Sequence, residues 1–455
     1  MPDAEILKRI DATIEKNLDT TLAWLAKICA QPSVAAQNLG ITECADLVAA
    51  LLREQGFQAE IMPTAGSPVV YGEGGAGAKT LLFYNHYDVQ PAEPFDLWNS
   101  PPFELTRKGD RLVARGVSDD KGHIITRLAA LAAIREVTGG LPLRIKFLIE
   151  GEEEIASVHL PEFVEHNAPK FEADACIWET GGVNYEGRPE QVLGMRGICY
   201  VELSARTARI DAHSGLGGSI FPNAAWRLVW ALSTLKDADE NILIPGFYEN
   251  AHPATERDLA LLAALPDETG QMQDTFGLTQ GFLKGLTGGV EFERRAVFEP
   301  TCTICGLTSG YQGAGAKTVL PAEARAKVDF RLVPDQTPEE ILVKLRHHLD
   351  LHGFQDIEVK LVGGEKPART DPDHPFIKLV NDAAREVYGV DPVVSPLSGG
   401  SGPVHPFVHV LGLPVAFSGI AYPDNRIHAP NENLLIPHLL KGIKHTAHIV
   451  MAFAE

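Results

Sequence analysis

Residues 80–88 read Thr80-Leu-Leu-Phe-Tyr-Asn-His86-Tyr-Asp88. The apolar run from Leu81 to Tyr84 is too short for a helix and predicts a buried strand over 80–85. Downstream, a helical pattern over 122–137 is stopped by Gly139, Gly140 and Pro142. Further strands are predicted over 143–149 and 175–178. Strands alternating with helices imply an α/β fold, a mixed but largely parallel sheet with helices on both faces. Ligands of such sheets gather beyond the carboxyl ends of the strands, where His86 and Asp88 stand.

After Arg196-Gly197 the texture changes. Strands are predicted over 199–206, 317–321, 323–333 and 357–361, with helical pattern over 223–235. Thr337-Pro338-Glu339-Glu340 is a capping-box pattern with proline at the first helical position, opening a helix to about His352. Residues 363–375, rich in Gly and Pro, form a linker back. A helix from about Phe376, a strand over 415–417 and a last helix from about Leu434 follow. The expected organisation is one domain of residues 1–196 and 367–455, interrupted by an inserted α+β domain of residues 197–366.

The 455 residues suit two domains, and 45% are apolar, enough for real cores. The formal net charge of -20 argues against a nucleic-acid partner. Cys29, Cys44, Cys176, Cys199, Cys302 and Cys305 are sparse and scattered, which favours a reducing compartment over a disulfide framework. Cys302-x-x-Cys305 has no second pair to complete a four-sulfur zinc site. The N-terminus, with Leu7, Ile10, Ile14, Leu18, Leu22 and Leu25 at helical spacing among charges, does not read as a signal peptide. Without an apolar stretch of about 18 residues, the expectation is a soluble cytoplasmic protein with no membrane partner. The hexapeptide GAGAKT occurs at 75–80 and 313–318 and is taken as coincidence.

Residues two apart on a strand share a face, so His86 can bind a metal while Asp88 accepts its other ring proton. By itself, H-x-D is weak and reads more readily as a structural histidine. Asp119-Asp120, in the stretch 115–122, precede a helix and serve as an N-cap just as well as a metal ligand. After the 143–149 strand come Glu150-Gly151-Glu152-Glu153-Glu154, whose adjacent carboxylates call for nearby positive charge. Glu179 ends the 175–178 strand, and His428 lies in a loop before the last helix. Two histidines and three carboxylates are a nitrogen and oxygen set suited to zinc, cobalt or manganese. A two-metal hydrolase also needs one unligated carboxylate to move a proton, and adjacent glutamates supply both kinds.

Taken in order, NHYDVQP, ARGVSDDKG, EGEEE, DAHSG, RLVP and the late His428 resemble the M20 metallopeptidases over nearly the whole chain. That group holds carnosinase-like and nonspecific dipeptidases, aminoacylase, glutamate carboxypeptidase and acetylornithine and succinyl-diaminopimelate deacylases. The resemblance implies one metal on His86, Asp119 and Glu179 and a second on Asp119, Glu154 and His428, with Asp119 shared. It makes Glu153 the general acid/base, with Asp88 orienting His86 and Asp120 behind the ligands. The inserted domain becomes a lid that joins two copies into a homodimer, His213 serving the partner's site by stabilising the oxyanion. Arg331 matches an arginine that grips the substrate carboxylate. Thr318, in 314–321, and Ser401, in the glycine-rich 398–403, fall in substrate segments. Glu179 departs from the aspartate that dipeptidases tend to carry and matches aminoacylase- and carboxypeptidase-like members.

Other classes fail on local chemistry. Gly77-Ala78-Lys79-Thr80 lacks the glycine a P-loop needs before its lysine, and Gly399-Gly400-Ser401-Gly402-Pro403 breaks the nucleophile-elbow pattern. The expected function is hydrolysis of the amide bond of dipeptides or short peptides with a free C-terminal carboxylate. The alternatives are an N-acyl-amino-acid deacylase or carboxypeptidase of the same family, and a non-catalytic binding protein of this fold.

Overall fold

The computed structural model describes residues 3–455. The chain forms two compact units. One holds the described residues up to Gly194 with Arg369–Pro396 and Pro403–Glu455; the other holds Met195–Ala368 and Leu397–Gly402.

The first unit is built on a six-stranded sheet in the order Gln58–Met62, Val69–Gly74, Arg144–Glu150, Thr80–His86, Ala175–Trp178, Val415–Phe417. Thr80–His86 runs parallel to both neighbours, and Val415–Phe417 runs parallel to Ala175–Trp178. The two strands nearest the N-terminus are antiparallel, so the sheet is mixed but largely parallel, as the sequence predicts. Alternation sends Phe83 and Phe147 to one face, their rings 5.3 Å apart, with Phe57 edge-on to Phe147. Leu52 of the helix Ile41–Glu54 packs on that face at Gly72. Tyr84 stacks on Trp178 at 4.3 Å on the other face, where Phe171 of the helix Leu160–Phe171 meets Tyr71. Large side chains buried on both faces, at about 1.5–3 kcal/mol each, leave the sheet no solvated side.

The helix Lys121–Thr138 is buried all round over its first three turns. A helix of that kind belongs inside a core. It stops at Gly139, whose φ of 82° lets its N–H close back on the Arg135 carbonyl. The last helix is Ile436–Phe453, starting two residues later than expected, because Asn433–Leu435 first pairs as a strand with Arg111–Val113. The parallel strands end together, and their ends carry His86, Glu150 and Trp178-Glu179 to one rim.

The second unit has an antiparallel sheet ordered Thr303–Ser309, Glu323–Leu332, Gly194–Arg206, Glu358–Glu365. Ala324, Ala326, Val328, Phe330 and Leu332 turn inward and pack with Leu228, Ile341, Leu345 and Leu349 from two helices. Thr337 caps the helix Pro338–Leu351 by accepting the Glu340 N–H at 3.2 Å. Arg331, paired with Ile198, lies on the opposite face. Residues 397–402 depart from the expected boundary at 367. Ser398–Ser401 pairs in parallel with the start of Gly194–Arg206, and Leu397 is buried against Leu262, Val297 and Phe298. Backbone pairing of this kind leaves no side-chain pattern to read.

All six cysteines are free thiols, and only Cys305 is exposed. Among the described residues, no helix is long and apolar enough to cross a membrane.

Candidate metal centre

At the rim of the first unit, His86 is buried and its two ring nitrogens face different carboxylates. Nδ1 lies 3.3 Å from Asp88 Oδ1 and 3.0 Å from the Asp88 carbonyl, while Nε2 lies 3.1 Å from Asp119 Oδ1. The other oxygen of Asp119 is 3.1 Å from His428 Nε2, so one carboxylate touches both histidines. His428 Nε2 is also 3.1 Å from Glu154 Oε2. Glu179 Oε2 lies 3.9 Å from His86 Nε2 and is buried without a hydrogen bond.

Two sets each bring their donor atoms within 4.8 Å of one another: His86, Asp120 and Glu179 in one, and Asp119, Glu154 and His428 in the other. Asp120 stands in the first set although the sequence placed it behind the ligands. Its Oδ2 is already engaged, accepting from Asn85 Nδ2 at 2.7 Å and from the His86 N–H at 3.1 Å. Neither Cys302 nor Cys305 belongs to a set.

The three clustered glutamates have separate surroundings. Glu152 accepts the Ser67 N–H at 2.8 Å and lies 2.7 Å from His159 Nδ1, away from the other two. Glu154 is clamped by Gln90, whose N–H and side-chain amide donate to its two oxygens at 3.0 and 2.8 Å. No hydrogen bond to the Glu153 side chain is found among the described residues. Its N–H and that of Glu154 donate to the two oxygens of Asp88, at 3.2 and 3.0 Å. Asp88 thus fixes the His86 ring and the backbone of both glutamates.

Electrostatics mark the cluster as short of positive charge. Burial holds the Glu153 and Glu179 carboxyls well above the usual range; Glu154, Asp119 and Asp88 raise Glu153 further, and Glu153 raises Glu179. Burial also opposes the charge of His86, yet Asp119 and Asp88 hold its pKa well above the ordinary value. His428 is pushed up to about 10, by Asp119 first and then Glu154. A buried carboxylate oxygen without a partner is costly. The orphaned Glu179 Oε2 and this nitrogen and oxygen donor set fit divalent metal.

In the second unit, Arg331 Nη1 donates to Ser401 Oγ at 2.8 Å, and Nε lies 3.7 Å from Asp329. His213 and Thr318 are both exposed and close together, since Ala212–His213 pairs with Val319–Leu320. The imidazole Nδ1 of His213 accepts the Gly215 N–H at 3.0 Å.

Residues 82–452 match the peptidase family M20/M25/M40, a span that takes in both candidate donor sets. The chain belongs to this family. This M20 peptidase is similar to the Cys-Gly metallodipeptidase dug1 of Schizosaccharomyces pombe, at 28% identity over 96% of each chain. It is also similar to the Beta-Ala-His dipeptidase of Rattus norvegicus, 28% identical over 83% of this chain and 78% of that one. Among solved structures, an M20 family metallo-carboxypeptidase from Sulfolobus solfataricus superposes with a TM-score of 0.92 at 36% identity, over 95% of this chain and 99% of the other.

Sequence reasoning missed the residues that brace this M20 site. Gln90 and Arg115 lie inside motifs it quoted, and Glu432 lies four residues past His428, but none received a role. The only signal was a charged or amide side chain within a loop of otherwise assigned residues.

Proposed function

We propose that this chain is a two-metal exopeptidase that hydrolyses dipeptides or short peptides with a free C-terminal carboxylate. The observation that carries the reading is Asp119, each oxygen 3.1 Å from a different histidine, with Glu154 and Glu179 alongside. His86, Asp119 and Glu179 would hold one ion and Asp119, Glu154 and His428 the other; zinc suits the set, as do manganese and cobalt. Bound there, the ions supply Lewis acidity to the scissile carbonyl and to water.

The chain's own groups do the rest. Glu153, free of other bonds, takes the proton of the attacking water and returns it to the leaving amine. Burial among carboxylates, which raises its pKa, is the environment a proton shuttle needs. Asp88 keeps His86 and the Glu153 backbone in register. The family resemblance gives Arg331 the substrate's carboxylate, with Ser401 and Thr318 as neighbours in substrate binding. It also gives a homodimer formed through the second unit, with His213 serving the partner's site.

A second reading, carboxypeptidase or N-acyl-amino-acid deacylase, is favoured by Glu179 and by the similarity to the Sulfolobus metallo-carboxypeptidase. One panel separates the readings: unblocked dipeptides, N-acetyl and N-succinyl amino acids, and C-terminal amides, each with Zn, Mn or Co. Free dipeptides are expected to turn over, and amides poorly. Acceptance of blocked amino termini alone would favour the second reading. A guanidinium pairs two-to-two with a carboxylate and lysine cannot. Arg331→Lys should therefore lower kcat/KM for free acids by roughly 10–100-fold, matching the ~1.5–3 kcal/mol of a charge-assisted bond, with little change for amides. Equal hydrolysis of acids and amides by wild type would remove that role from Arg331.

The homodimer has its own test. Inactive His213→Ala and Glu153→Gln subunits, once mixed, should regain activity, because one site of the hybrid receives both intact groups. A fully active monomer in solution would rule the arrangement out.

A further inference from the structure

The loop that carries Asp119 has little backbone structure to satisfy its amides; residues 114–120 lie in neither helix nor strand. A buried loop of this kind must find acceptors for its N–H groups. Backbone carbonyls take the N–H groups of Ala114, Arg115 and Val117, and one side chain takes those of Gly116, Ser118 and Asp119. Glu432, completely buried, accepts from the N–H groups of Ser118 and Asp119 on Oε1, at 2.9 and 3.0 Å. On Oε2 it accepts from the Gly116 N–H at 2.9 Å and from Arg115 Nη1 at 2.7 Å. Successive N–H groups converging on one anion form a nest. Arg115, itself buried, balances the charge, reaches the Pro91 carbonyl at 3.1 Å and stands over the Trp98 ring.

Glu432 also lies four residues after His428. One short segment therefore delivers a histidine to the site and anchors the loop of the carboxylate that this histidine meets. The backbone of His428 is held at φ 60°, in the left-handed region that a non-glycine residue occupies only when its surroundings compel it.

We propose that Glu432 is a positioning residue that fixes Asp119 between His86 and His428, with Arg115 as its counter-ion. This rests on the reading of Asp119 as a metal ligand. A residue that orients a ligand sets the metal affinity, typically by about 10–100-fold. A merely structural buried ion pair would set the melting temperature and leave affinity alone.

The test uses the full-length protein, metal-free, titrated with zinc alone, and with cobalt for its visible spectrum. Glu432→Gln keeps the shape but turns one acceptor into a donor facing N–H groups. Zinc affinity is expected to fall about 10–100-fold, the cobalt spectrum to change, and Arg115→Met to follow in the same direction. Amide exchange over 115–120 in the metal-free protein should quicken. Lys146→Met is the control. It removes another buried cation, bonded to the Lys170 and Glu172 carbonyls, and should lower stability without touching affinity. If Glu432→Gln does not fold, Glu432→Asp keeps the charge with a shorter reach and is read the same way. Wild-type affinity together with unchanged exchange over 115–120 in a folded Glu432 variant overturns the proposal. A wild type that takes up no zinc overturns the metal reading beneath it, while the exchange result still reports on the loop.

Discussion

Glu153→Gln is expected to retain its metal and to lose about 10²–10⁴-fold in kcat, the range for removal of a general acid/base. Glu154→Gln is expected to do the opposite in kind: metal is lost first, and activity returns in part at high metal concentration. The two residues are adjacent and chemically identical, so only their surroundings tell them apart. Gln90 holds both oxygens of Glu154, and His428 Nε2 stands 3.1 Å from one of them. A carboxylate fixed in that way suits a metal ligand, because it has no freedom to carry a proton between two partners. No bond to the Glu153 side chain occurs among the described residues, while its backbone is tied to Asp88. It is placed but not occupied. Metal analysis beside steady-state kinetics on both variants decides the matter, and the reverse pattern would exchange the roles.

The sheet was legible because its strands are buried on both faces, so Leu81 to Tyr84 and their counterparts read as plain apolar runs. The candidate ligands could be singled out for a related reason. A parallel sheet gathers its strand ends, and polar residues directly after apolar runs therefore share a rim. What could not be read was the bracing. Glu432 meets Asp119 across 313 positions of sequence, and no local pattern announces that a carboxylate will be spent on backbone amides. Asp88 was read as the partner of His86, but its bonds to the Glu153 and Glu154 amides depend on how two strand ends are aligned. The parallel pairing of Ser398–Ser401 was hidden because it uses only backbone groups. Asp120 shows the limit most sharply. Spacing cannot decide which of two neighbouring aspartates faces a histidine ring and which faces its backbone N–H.

That ambiguity makes Asp119→Ala the most informative loss. Asp119 gives one oxygen to each histidine, both at 3.1 Å, so its removal should empty both metal positions. His86→Ala and His428→Ala should each cost mainly one ion. The competing outcome is specific. His86, Asp120 and Glu179 form a set of three without Asp119, and if Asp120 can serve, one ion survives the substitution. The hydrogen bonds argue against it. Asp120 Oδ2 already accepts from Asn85 and from the His86 amide, while Oδ1, buried without a hydrogen bond, lies 2.9 Å from His123 Nδ1; turning the carboxylate toward a metal would strip a buried amide and a buried side chain of their acceptor. Asp119 carries no such bonds, since the side-chain partners of its carboxylate are His86 and His428. Metal content after dialysis is expected to be two ions per chain in reconstituted wild type and none in Asp119→Ala. Chelation should abolish wild-type turnover, and readdition of metal should restore it. One ion left in Asp119→Ala would transfer the first position to Asp120, and one or none in wild type would end the two-metal assignment.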